Sequence, residues 1–498
     1  MQLLVFLLCV LVLLIAIEAV SELDLNNIIE SFIQKNKDDF LKDTRSKLSA
    51  EPKFQFDKNV PKLQLIQKLQ RKLLRSDQNK TSNVASSPPI KNNKHQFKDD
   101  PMKNPNMFEG DMLLTDIQID GFIEHLKKQL NIKGGTTSNR NRRSVQSPMN
   151  LKWTFPIKYF ISPLIPQPTQ TIIDDALADM HSNTCLRFSK QSASFNDTPG
   201  LSLTYGTGCW SYVGQVFKNK PQEVSLGDGC QYRGVIQHEI SHALGLQHEQ
   251  SRPDRDNYLI INKDNMAPTS EGQFTKSLEG SVNDYGVQLD MGLLICCSAM
   301  MYGSYDFSKN NQKTIYPKEA VFDENLGQYS RLSFSDYKIL TFHYCNSTCD
   351  IKISCSNGGY QNPNSCTKCV CPNGFAGTLC AAIKTTGSEC GTIELTATDS
   401  IEVLTKTGAI NCFFKITTDP KFKIRIIVKK VNVSYQSPCV VGKGLEVKFQ
   451  KDMTNSGAAF CGTSTYHRTM VSVNNFVMVH YPGLASTHSF SLTYQRVA

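Results

Sequence analysis

Between Met1 and Thr184 the chain has a single cysteine, Cys9, although it carries 17 in its 498 residues. A disulfide framework is thereby excluded over that stretch, and cross-linking is confined to the region from Cys185 to Cys461. Long apolar runs are equally scarce. After residue 19 nothing approaches the ~18 consecutive apolar residues that a membrane-spanning helix needs. No unit of about 20–50 residues recurs, which argues against a solenoid, a propeller or a repetitive matrix protein. Basic excess is also missing where it would matter. Of the net +9, residues 20–143 hold 23 Lys+Arg against 16 Asp+Glu, and residues 144–498 hold 31 against 28. Nucleic acid is therefore not an expected partner. Histidine is sparse at ten residues, yet three of them, His238, His242 and His248, crowd into "QHEISHALGLQHEQ".

The opening run "MQLLVFLLCVLVLLIAIEA", residues 1–19, ends near small residues suited to signal peptidase and reads as a secretory signal. The competing reading is a membrane anchor. Secretion to the extracellular space is favoured, because the 16 cysteines left after Cys9 are an even number, able to pair fully in an oxidising compartment. Sequons at Asn79, Asn196, Asn346 and Asn432 agree with that route and are the glycosylation candidates. Residues 20–143 are rich in Lys, Asn, Gln and Ser. They are expected to be loosely ordered apart from one helical stripe, Leu63, Ile66, Leu69 and Leu73. The segment closes on "RNRR". Such clusters are usually solvated charge, but its place just before a change in composition favours cutting by a secretory-pathway protease after Arg143, leaving Ser144 as a new amino terminus.

From Leu151 apolar and aromatic content rises, and a folded region runs to Cys345. Six cysteines follow, Cys349 to Cys380, too dense for a core and expected to hold a small module by cross-links. Beyond Cys390 alternating stretches such as "KFKIRIIVKKVNVSY" predict an all-β sandwich.

The histidine cluster carries the chemistry. Read as a helix from Gly234 to Leu246, the segment puts His238 and His242 one turn apart on one face, able to reach a single ion. Glu239, beside the first, is placed to act as a general base on a water at that ion. A third ligand from the same segment requires a sharp turn, which Gly245 permits because it tolerates positive φ; the chain then presents His248. Three neutral nitrogens plus water make an open zinc site. Two histidines at this spacing are sometimes only hydrogen-bonded core side chains, but the extended HExxHxxGxxH pattern makes that reading a minor one.

With its continuation "EQSRPDRD" the stretch resembles the astacin family of zinc endopeptidases, among the metzincins, and "SAMMYGSYDFS" resembles that family's Met-turn. The resemblance implies an α+β zincin-like catalytic domain at 144–345, behind a signal at 1–19 and a propeptide at 20–143. It implies one Zn2+, Met300 as the floor of the site, and Tyr302 as a further ligand that swings away to stabilise the oxyanion. Phe108 to Asp111 resembles the inhibitory motif, with Asp111 on the metal until the propeptide leaves. "GCWSYVGQ" resembles the stretch near the edge strand that binds substrate in extended form, and Glu249 would receive the new amino terminus. The same resemblance implies the pairs Cys185–Cys345 and Cys209–Cys230. Residues 346–381 look like an EGF-like domain, with Cys349–Cys366, Cys355–Cys369 and Cys371–Cys380. Residues 390–498 look like a CUB domain, with Cys390–Cys412 and Cys439–Cys461. Met301 stands where the family often has histidine, so local hydrogen bonding is expected to differ without loss of zinc. The adjacent Cys296 and Cys297 are too close for an unstrained disulfide, and the sequence leaves their state open between a strained bond and two thiols.

The expected function is a secreted zinc endopeptidase, made as a zymogen and acting on extracellular proteins or peptides, with matrix partners for the EGF-like and CUB modules. The alternative is an inactive, protease-like adhesion protein working through those modules. An acidic substrate preference would point to Lys309, though a surface role for that lysine is the stronger expectation.

Overall fold

A computed structural model of the chain describes residues 48, 50–78, 100–104, 106–130, 152–267, 270–277 and 298–498. The apolar start at 1–19, Asn79, the Arg143–Ser144 junction and the Cys296–Cys297 pair lie outside these residues. Residues 1–57 and 58–498 are separate units. Of the first, Leu48 and the opening of helix α1 (Ala50–Gln78) are described.

The segment expected to be loosely ordered holds more structure than its composition suggests. After α1 come a two-residue strand, β1 (Met112–Leu113), and a second helix, α2 (Asp116–Gln129). Ile119, Phe122, Ile123 and Leu126 recur at spacings of three and four and are buried together with Leu63, Ile66 and Leu69 of α1 and with Val213. Opposite charges tie the two helices, Lys62 lying 3.1 Å from Asp116 and 2.7 Å from Asp120. The polar average concealed these two apolar stripes, each needing the other to leave water.

Six strands make the main sheet, in the order β1-β5-β6-β4-β2-β3: β2 (Ile157–Ile161), β3 (Phe188–Lys190), β4 (Gly200–Thr204), β5 (Cys209–Tyr212) and β6 (Pro221–Leu226), with β1 on the edge. Strands β2, β3, β4 and β6 are parallel, and β5 is antiparallel to β6. Helices α3 (Gln167–Asn183) and α4 (Arg233–Ala243) share one core with the sheet, in which Ile173, Leu177, Ile236 and Ile240 join Leu201, Leu203, Val224 and Leu226. Every residue of α4 from Gly234 to Ala243 is buried. A fifth helix, α5 (Phe334–Cys345), closes the domain, its end bonded to Cys185. Cys209 of β5 is bonded to Cys230.

Cys349–Cys366, Cys355–Cys369 and Cys371–Cys380 hold the six-cysteine module, whose regular structure is two short two-stranded ladders. The last region is a sandwich of a five-stranded and a four-stranded sheet, bridged internally by Cys390–Cys412 and Cys439–Cys461. Strand Lys423–Asn432 shows why: its alternation turns Ile424, Ile426 and Val428 into the core beside Phe414, Val479 and Leu492, leaving Lys423 and Arg425 exposed. The chain is thus multidomain, an α+β domain followed by a cross-linked module and a β-sandwich. Among the described residues no helix is long and apolar enough to cross a membrane.

Candidate metal centre

Helix α4 ends sooner than the expected Leu246. Ala243 is its last residue, Leu244 caps it, and Gly245 takes φ +102°. The Gly245 N–H donates to His242 O at 2.8 Å and the Leu246 N–H to Ser241 O at 2.9 Å, the bonding of a left-handed helix stop. This reversal brings His248 to face the two helical histidines.

The three imidazoles converge on one carboxylate. Nε2 of His238, His242 and His248 lie 3.3, 3.4 and 3.3 Å from the oxygens of Asp111, and Nε2 of His238 and His248 are 3.2 Å apart. One ligand atom from each of these four buried residues falls within 4.8 Å of the others. Each ring's other nitrogen is committed as a donor: His238 Nδ1 to Ala299 O at 2.7 Å, His242 Nδ1 to Leu246 O at 2.8 Å, and His248 Nδ1 to the Glu109 carboxylate at 3.0 Å. That fixes the tautomer and leaves Nε2 of all three pointing inward. Burial pushes the His238 imidazolium down, and that of His248 to about 3, so both rings are neutral at physiological pH. Inward lone pairs and an anionic carboxylate meet with no donor between them, an arrangement that a cation completes. A set of three nitrogens and one carboxylate oxygen suits zinc.

Glu239 is fully buried, and neither of its carboxylate oxygens has a hydrogen-bond partner among the described residues. Burial first, and then the Asp111 charge, push its carboxyl well above the usual range, with Lys103 working the other way. Such a group is poised to exchange a proton rather than to hold structure.

Residues 145–345 match the family model described as Astacin, a peptidase family. Over 386 residues the chain is 31% identical to zinc metalloproteinase nas-23 of Caenorhabditis elegans, covering 75% of this chain and 69% of that protein. The chain belongs to the astacin family. It is also 36% identical over 402 residues to zinc metalloproteinase nas-34 of the same organism, covering 79% of this chain and 65% of that protein. It thus spans somewhat under two thirds of that relative's length. Among solved structures, high choriolytic enzyme 1, a hatching enzyme zinc-protease from Oryzias latipes, is 30% identical over 41% of this chain and 100% of that one, with a TM-score of 0.35. The cofactor of the astacin domain is Zn2+, and the buried cluster of three histidines and Asp111 could hold such an ion.

Around that site the expected residues are distributed unevenly. Met300 is fully buried; its N–H donates to Ser298 Oγ at 2.9 Å and its carbonyl accepts from the Glu249 N–H at 2.9 Å. The Tyr302 ring lies 4.8 Å from that of His248, its hydroxyl donates to the Glu109 carbonyl, and Asp111 supplies the carboxylate of the His and carboxylate cluster. Glu249 is buried, with a carboxylate oxygen 3.6 Å from Arg252 Nε. Met301 is buried. Lys309 is exposed, with its backbone N–H on Asn265 O. Asn196 and Asn346 are exposed, whereas the Asn432 amide is already engaged, donating to Thr487 O and accepting from Thr463 Oγ1.

Three side chains have contacts that went unread in the sequence, although Glu109 falls within the Phe108–Asp111 motif. Glu109 orients His248. Lys103 lies 2.9 Å from Asp306 and against the Tyr302 ring. Asp336 sits at the start of α5, where it accepts from Ser298 Oγ at 2.6 Å and from the Ala299 N–H at 3.1 Å, thereby fixing the carbonyl that holds His238. Only Asp336 left a local trace: Ser333 and Asp336 form a capping box, a pattern visible in "SFSD".

Proposed function

We propose that the chain is the zymogen of a secreted zinc endopeptidase, in which residues 100–113 block the cleft until cutting after Arg143 releases them. The observation that carries this reading is the buried Glu239 carboxylate, without a hydrogen-bond partner among the described residues, beside three imidazoles whose Nε2 atoms face one point. His238, His242 and His248 would hold the zinc, which when bound supplies Lewis-acid polarisation of water and of the scissile carbonyl. Glu239 takes the proton from the attacking water and delivers it to the leaving amine. Tyr302, released from the Glu109 carbonyl when the pro-segment departs, donates its hydroxyl to the oxyanion developing on the attacked carbonyl. Strand β5, relieved of β1, offers its edge to the backbone of an extended peptide. Glu249 receives the amino terminus of the matured chain.

The cysteine pairing of the small module and the two-sheet sandwich support the EGF-like and CUB readings, and with them extracellular partners that position the enzyme. Exposure favours Asn196 and Asn346 over Asn432 as glycosylated positions. Full-length protein, matured by cleavage, is expected to contain one zinc and to cleave peptides. Glu239→Gln should keep the metal while losing about 100- to 10,000-fold in rate, the usual share of a general base. Retained cleavage by a zinc-loaded Glu239→Gln preparation would reject the mechanism.

A further inference from the structure

Lys103 touches none of the histidines, yet its side chain is only 9% exposed. Its ammonium lies 2.9 Å from Asp306 Oδ2, donates to the Tyr329 hydroxyl at 3.3 Å, and sits 4.1 Å from the centroid of the Tyr302 ring. The Asp306 side chain is 6% exposed. Lys103 belongs to the pro-segment, whereas all three groups around it belong to the astacin domain. The pro-segment is pinned to β5 at two points, Pro101 O accepting from the Cys209 N–H and Asp111 O from the Ser211 N–H, each at 2.9 Å. Between them it doubles back through Glu109 and Gly110, both at positive φ, while the Lys103 side chain lies against Asp306, Tyr302 and Tyr329. At Gly110 a Cβ would meet Met102 O at 2.6 Å, so the close return depends on glycine.

When the pro-segment leaves, Asp306 and the Tyr302 and Tyr329 rings, which together surround the Lys103 ammonium, lose that cation. With the pro-segment in place, burial pushes the Asp306 carboxyl upward against the pull of Lys103, so that the cation offsets the cost of the charge there. We propose that in the matured enzyme Asp306, with the rings of Tyr302 and Tyr329, forms a subsite for a lysine or arginine side chain of the substrate beside the scissile bond. This rests on the endopeptidase reading and gives it a substrate class opposite in sign to the acidic preference tied to Lys309. Asp306 also accepts from the Gly303 N–H at 2.9 Å and so holds a turn. Asparagine keeps that acceptor and removes the charge, which separates the two roles.

The test uses the full chain, matured by cleavage and freed of its pro-segment, with a peptide library in which each position is lysine, arginine or norleucine. At one position kcat/KM is expected to be about tenfold higher for the basic residues than for norleucine, the scale of a desolvated charge and cation–π contact. Asp306→Asn should bring that ratio close to one. A second arm needs no turnover: matured Glu239→Gln protein should bind a synthetic peptide of residues 100–113 about tenfold more tightly with Lys103 than with norleucine there, and Asp306→Asn should erase the difference. Equal cleavage of basic and norleucine peptides would overturn the subsite and leave the endopeptidase reading intact. Asp306-dependent binding of the pro-peptide without Asp306-dependent cleavage would equally overturn it, since Asp306 would then serve the pro-segment alone. Cleavage of no peptide by zinc-loaded protein would remove both.

Discussion

Removing Asp111 and removing Glu239 have opposite expected consequences, although both carboxylates are fully buried in one site. Asp111 faces the three Nε2 atoms and belongs to the segment that maturation would remove on the proposed reading; Glu239 belongs to α4 and would stay. Asp111→Ala in the uncut chain should therefore open the site and give measurable cleavage of a fluorogenic peptide where the parent zymogen gives none. If the uncut variant remains silent while binding zinc, other contacts of the pro-segment suffice for inhibition. The meeting of the three histidines, with Glu239 beside them, was legible in the sequence because their relation is local, set by one helix and one reversal. Glu109 and Lys103 were not, since they act on residues 139 and 226 positions away, and no spacing along the chain records such a meeting.

At the scale of elements, the reversal after α4 decides whether the third histidine arrives. Gly245 holds φ +102°, where an L side chain is strained by about 1–2 kcal/mol. Gly245→Ala should lose about that much stability in denaturant titration and bind zinc more weakly, because His248 would be displaced; unchanged zinc affinity would show that the turn tolerates a Cβ. Helix α5 contributes from the other side. Asp336→Ala removes its capping box, costing about 1 kcal/mol. It also frees the Ala299 carbonyl that orients His238, so zinc affinity should fall about 10- to 100-fold, as when comparable supports of metal ligands are lost. A competition titration with a zinc chelator measures it. The glycine reversal was legible from one residue type. Helix α2 was passed over, because its stripe, Ile119, Phe122, Ile123 and Leu126, is short and lies within a polar segment, and gains meaning only against α1 and Val213.

At the scale of the molecule the modules are not beads on a string. The small module bonds to the astacin domain through Tyr360 Oη to Asn183 O at 3.1 Å and through Lys338 Nζ to its Gly358 O at 3.0 Å. The sandwich meets the same domain where Asn325 Nδ2 donates to Cys439 O and Ala459 O, at 3.1 and 3.0 Å. A cavity of about 420 Å³ lies among the three, lined in part by Tyr337, Asn373 and Glu446. Glu446 links sandwich to module: its carboxylate accepts from Asn373 Nδ2 at 3.0 Å and from the Gly457 N–H at 2.8 Å, with His480 Nδ1 at 3.6 Å. Burial works against its charge, but Lys448, His480 and the Gly457 N–H outweigh it and pull the carboxyl down to about 2. A group lowered from the ordinary value of about 4.3 stabilises the folded state above that value and loses its contribution as pH falls towards 2. The contribution at pH 7 is on the order of 2–3 kcal/mol. Glu446→Gln should therefore lower the thermal midpoint of the sandwich at pH 7 and cost progressively less as the pH is taken below 4. A penalty as large at pH 2 as at pH 7 would mean that the shape of the side chain, and not its charge, holds module and sandwich together.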